Sequence, residues 1–131
     1  PHYDWSGLVR LPIFWEDDVH AVFFDGAFDG AASARAVLAL ERAELKVLNF
    51  HPVHIYLNTS DFDGYQHAKE VLRDEQQARA LRRPESGVRT FFEQALAATR
   101  DLPRQKLGEV ADAFRRDNAY VGAYARTLES P

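Results

Sequence analysis

The feature that most constrains this chain is a block of helix formers running straight into a short apolar run. Ala31 to Glu44 is rich in Ala, Leu, Glu and Arg, and Ala34, Val37, Leu38 and Leu45 fall on one face at helical spacing. Asp29 is placed to cap its start. Lys46 to Phe50 (KVLNF) then reads as a buried strand, ended by His51-Pro52. A helix feeding a buried strand is the signature of a β/α architecture with parallel strands. Upstream, Leu8 to Trp15 (LVRLPIFW) reads as a strand in which Pro12 marks an edge, a bend or an end. His20 to Phe24 is a second short apolar run, and Asp25-Gly26 and Asp29-Gly30 are turn signals. Downstream, Val53 to Leu57 (VHIYL) is expected to continue as strand or extended loop.

The rest of the chain reads as helix. Asn58 to Gly64 is a loop with good N-cap residues, and Tyr65 to Leu81 is a largely solvated helix or mobile excursion. Residues 82–87 break it. Val88 to Thr99 is the cleanest helix, with Val88, Phe91, Phe92, Ala95 and Leu96 on one face. Leu107, Val110, Ala111 and Phe114 repeat the spacing, and Tyr120 to Leu128 suggests a weaker last helix. Three or four short strands are a small sheet for four or five amphipathic helices. The expected fold is α/β, a partial (β/α) barrel-like sheet with a helical C-terminal third, in a single domain over residues 1–131.

Charge and composition exclude several functions. Sixteen basic against twenty acidic residues leave a net charge of −4, which argues against phosphate-dominated nucleic-acid binding. There is no cysteine, hence no disulfide, thiolate nucleophile or cysteine metal site. No apolar run approaches the roughly 20 residues of a membrane helix, so no membrane span and a soluble, cytoplasmic protein are expected. There is no methionine and the chain opens on Pro1, so a piece of a longer protein is expected. Asn58-Thr59-Ser60 matches a glycosylation sequon, a short and common pattern.

Chemistry concentrates between Trp15 and His54, which hold three of the five histidines. Trp15-Glu16-Asp17-Asp18-Val19-His20 follows a strand, and carboxyl ends of parallel strands are where sites are built. Asp17 and Asp18 would point to opposite faces if the strand continued. The alternative is a polar loop. His51 falls at the end of the buried strand, where it could move a proton near neutral pH or simply be a satisfied histidine. On an extended chain His51 and His54 face opposite ways and make a poor metal pair. His2-Tyr3-Asp4 could ligate a metal but lies at the chain end. His67 reads as surface, Phe91-Phe92 as core, and Arg82-Arg83 as solvated loop. No phosphate loop, Gly-x-Ser-x-Gly elbow or His-Glu-x-x-His is present.

The order of these features resembles the polysaccharide deacetylases of the NodB-homology type, in the divergent bacterial branch of surface-polysaccharide biosynthesis. The resemblance runs from Gly7 to Arg116, and only as the second half of the family's domain. It implies a distorted (β/α) barrel that removes acetyl groups from sugars with a divalent metal, usually zinc. Leu48-Asn49-Phe50-His51 matches the family's Leu-x-x-His, so Leu48 would line the acetyl pocket and His51 would protonate the leaving group. Trp15 with Asp17 or Asp18 resembles the element that orients that histidine and walls the groove, and Trp15 would stack on a sugar. His54 and Asn58 would add substrate contacts. Arg10-Leu11-Pro12 echoes an Arg-x-Pro motif. The family's metal Asp, its His-x-x-x-His and its base aspartate have no counterpart here, so metal ligands are not identifiable and the isolated chain is expected to be inactive.

Two other readings stay open. One is a non-catalytic α/β module or degenerate half that pairs with another chain, with a homo-oligomer or a missing N-terminal half as its complement. The other is an independent histidine/carboxylate metal site, which predicts stoichiometric zinc binding by this chain alone.

Overall fold

The computed structural model describes residues 1–23, 28 and 34–120. Its elements are β1 (His2–Tyr3), β2 (Val9–Arg10), β3 (Trp15–Glu16), α1 (Asp17–Phe23), α2 (Ala34–Val37), β4 (Leu48–Asn49), α3 (Pro52–Leu57), α4 (Phe62–Lys69), α5 (Glu75–Ala80), α6 (Val88–Ala98) and α7 (Leu107–Asp117). Among the described residues the fold is therefore mixed α/β, with seven helices, four two-residue strands and no closed barrel. The chain divides into two units, Ile13–Leu102 and Pro1–Pro12 with the described part of Pro103–Pro131.

In the larger unit β3 and β4 pair in parallel, Trp15 opposite Leu48 and Glu16 opposite Asn49. The helix-then-strand reading anticipated this pairing. α6 supplies the core: Val88, Phe91 and Ala95, at i, i+3 and i+7, are buried against Trp15, Ala21, Phe28, Ala34 and Leu38. Trp15 stacks on Phe91 at 4.7 Å between ring centroids, a geometry favourable beyond area burial alone.

Asn58 ties the helices of this unit together. It closes α3 in the left-handed conformation at φ 54°, which Asn tolerates. Its buried amide donates to the carbonyls of Arg83 and Glu85 and accepts from the N–H groups of Arg89 and Thr90. Gly87 sits so close that an added Cβ would fall 2.3 Å from the Asn58 carbonyl oxygen. Asn58 and Thr59 of the sequon are thus closed from solvent.

Several expectations change. The 8–15 run is two separate strands divided at Pro12, because proline cannot donate to a continuing ladder. The apolar run from His20 is helical, belonging to α1 as far as Phe23. Val53–Leu57 is also helix, since Pro52 occupies the first turn of α3, where its missing N–H is no loss. Residues 65–81 form two helices, α5 restarting where the Asp74 carboxylate caps the Gln77 N–H. α4 begins inside the expected loop, capped by Asp61, whose carboxylate accepts from Gly64 N at 2.6 Å. α2 is four residues long and gives way to a turn in which Ala39 has φ 45°. Asp29 and the helix expected beyond Tyr120 lie outside the described residues.

In the smaller unit β1 and β2 form an antiparallel pair. The Asp4 carboxylate organises their turn, accepting from Ser6 N, Ser6 Oγ, Leu8 N and Arg10 Nε. The Ser6 hydroxyl, more than any other partner, brings the Asp4 carboxyl down to about 2. This carboxylate serves the turn, so His2-Tyr3-Asp4 is explained without a metal. Tyr3 packs on Phe114 and Tyr120, and its hydroxyl donates to the Asn118 carbonyl at 2.7 Å.

Candidate functional site

The site grows from one register. β3 and β4 run parallel and end side by side, so the residues after them meet. β3 turns directly into α1 at Asp17. The backbone no longer alternates there, and Asp17 is carried fully inside while Asp18 stays half-buried. Glu16 reaches across the pair and accepts from the Asn49 amide. β4 gives way to Phe50 and then His51, the N-cap of α3.

Asp17 grips His51 at two points. Its Oδ2 accepts the His51 backbone N–H at 2.7 Å, and its Oδ1 lies 2.6 Å from His51 Nδ1. Oδ1 also accepts the Asp18 N–H at 2.9 Å. The carboxylate is wholly buried, whereas the His51 side chain is 39% exposed. The hydrogen bond to Asp17 pushes the His51 pKa above its ordinary value against partial desolvation, and the charges of Asp17, Asp18 and Glu16 add to the rise. Of the two adjacent carboxylates, Asp17 is the one that holds the histidine.

His54 lies one helical turn further on, buried, with Nδ1 3.1 Å from Thr59 Oγ1. Its ring stands against Tyr65 at 4.2 Å and perpendicular to His51 at 5.5 Å. Burial pulls its pKa down, the opposite direction from His51. The sequence expectation that the two histidines face apart fails because α3 is a helix. Donor atoms of Asp17, His51 and His54 lie within 4.8 Å of one another, as do those of Glu16, Asp18 and His51.

The other expected site residues sit elsewhere. Trp15 is in the core, its indole N–H directed at His20 Nδ1 at 3.3 Å and its ring against Phe50 and Phe91. A sugar would find no open face on it, because the strand faces α6. Leu48 is half-buried and packs against the same core. Asn58 spends its amide on four backbone groups, which replaces the expected substrate contact with a structural one. Thr59 and Tyr65 were not singled out by the sequence, since only the closing of α3 and the start of α4 bring them to His54.

A divalent metal does not fit the Asp17–His51–His54 group as it stands. Two ligands of a tetrahedral zinc sit about 3.3 Å apart, given bonds of about 2.0 Å, whereas Asp17 Oδ1 and His51 Nδ1 are 2.6 Å apart, at hydrogen-bond distance. The second Asp17 oxygen is committed to a backbone N–H. The arrangement is that of a carboxylate–imidazole dyad.

The family model for WbmS-like polysaccharide deacetylases matches residues 1–69. A solved structure from Bordetella bronchiseptica, WbmS, described as a candidate polysaccharide deacetylase involved in O-antigen biosynthesis, is 34% identical and superposes with a TM-score of 0.60. The match covers 73% of this chain and 38% of that one, so the chain spans well under half of its solved relative. No curated protein matches.

Proposed function

The chain belongs to the WbmS-like polysaccharide deacetylases, and on that premise we propose that it supplies the general-acid side of a carbohydrate deacetylase site. The observation that supports this reading is the Asp17–His51 dyad at the carboxyl ends of the parallel pair. With Nδ1 engaged by Asp17, the protonated ring carries its other proton on Nε2. His51 gives that proton to the departing nitrogen or oxygen of the sugar as the bond to the acetyl carbon breaks, and the neutral ring keeps its Nδ1–H on Asp17. Asp17 holds tautomer and orientation, and its negative charge favours the protonated ring.

The zinc implied by the family resemblance would be held by residues other than Asp17, His51 and His54. We place those ligands, and the base, in the part of a longer deacetylase domain that precedes this segment. The substrate class is an acetylated sugar of a surface polysaccharide. Among the described residues no helix is long and apolar enough to cross a membrane.

The test is His51→Ala in the intact protein, followed by acetate release from an acetylated amino sugar. Turnover is expected to fall by about 10²–10⁴, the usual general-acid contribution. Wild-type turnover would remove His51 from the mechanism.

A further inference from the structure

We propose that His54 is a positioning residue for His51, its buried imidazole standing perpendicular to the His51 ring and anchored from behind by Thr59 and Tyr65. The inference rests on the general-acid reading of His51. It concerns a histidine that the proton transfer itself does not use.

A single hydrogen bond from Nδ1 to Asp17 leaves the His51 ring free to pivot about that bond, since 39% of the side chain faces solvent. The contact with His54, 5.5 Å between centroids at 89°, closes that freedom from one side. His54 can serve as a fixed wall because it is itself held. Its backbone N–H donates to the His51 carbonyl at 3.0 Å, and its own carbonyl accepts from Thr59 N at 3.1 Å. Its Nδ1 meets Thr59 Oγ1, and Tyr65 packs across it at 4.2 Å. Apart from Tyr65, which comes from α4, all of these atoms are in α3, its N-cap and the segment that closes it, so the wall and the acid are built as one piece.

Chemistry also favours a neutral wall here. The charged and titratable groups facing His54 are Asp17 and Asp18 from α1, His51 at the N-cap of α3, and Lys69 and Tyr65 from α4. A cationic His54 would compete with His51 for Asp17 and repel the His51 proton. Burial disfavours a charged His54 while Asp17 favours a charged His51, which separates the two roles between adjacent imidazoles.

The experiment uses the intact protein and three variants: His54→Ala removes the wall, His54→Phe restores a ring without nitrogens, and Thr59→Val removes only the anchor. Turnover and KM are measured on an acetylated amino sugar, and ¹⁵N-histidine NMR follows the titration and tautomer of His51. His54→Ala is expected to lower kcat about tenfold with KM unchanged, the scale of a modest misplacement of a reacting group. It should also blur the single Nδ1–H tautomer of His51. His54→Phe should recover most of the kcat, and Thr59→Val should shift the His51 signals in the same sense as His54→Ala. An unchanged kcat and unchanged His51 tautomer in folded His54→Ala and Thr59→Val would overturn the positioning role, whether or not His51→Ala is inactive. If His51→Ala is fully active, the general-acid reading fails, and the NMR signature still decides whether His54 orients His51.

Discussion

At the residue scale, the two central histidines differ in pKa because their surroundings differ, and stability should report it. The His51 pKa is raised in the folded state, so its contribution is complete below about pH 6.5 and is lost as pH climbs through the raised value. The His54 pKa is lowered, so its contribution is complete above about pH 6.5 and is lost as pH falls through the lowered value. Both are present together only near the ordinary histidine value. Urea denaturation across pH should therefore show a maximum near about pH 6.5 on account of these two groups. Asp17→Asn should flatten the alkaline limb and return the His51 titration, followed by NMR, toward its ordinary value. An unshifted His51 titration in that variant would contradict the dyad. Asp17 against Asp18 is also where sequence reading stopped. Both are carboxylates after a strand, and only the turn into α1 at Asp17 decides which one enters the protein.

At the element scale, helices with a clean apolar face were legible and short segments were not. α6 and α7 follow directly from their i, i+3, i+4 spacing. α3 was hidden because VHIYL is β-branched and aromatic, a strand composition. Pro52 in its first turn and Asn58 at its end decide for helix. Two substitutions probe the junctions between elements. Ala39 holds φ 45°, where a Cβ is unfavourable, so Ala39→Gly should stabilise by about 1 kcal/mol in chemical denaturation. Gly87→Ala forces a Cβ against the Asn58 carbonyl, which is backbone and cannot swing away, and should destabilise by roughly 1–3 kcal/mol. A Gly87→Ala protein as stable as wild type would mean that α6 can move off Asn58.

At the scale of the whole molecule, the two units differ in what holds them. α6 buries Val88, Phe91 and Ala95, whereas α7 has no buried residue. Amide hydrogen exchange should therefore be slowest in Val88–Ala98 and much faster in Leu107–Asp117, and equal protection would contradict this division. The sequence by itself determined the parallel β/α character and the α6 face, which follow from periodicity and from residue types with strong local preferences. The pairing of a strand-end aspartate with His51 was implied only by the resemblance to the deacetylases. Only the tertiary structure decided that Asp17 is the partner, that His54 stands beside His51, that Trp15 belongs to the core and that Asn58 is a clamp. Each depends on which way a side chain points after a turn. That direction is set by long-range packing of β3, β4 and α6, about which neighbouring residues carry no information.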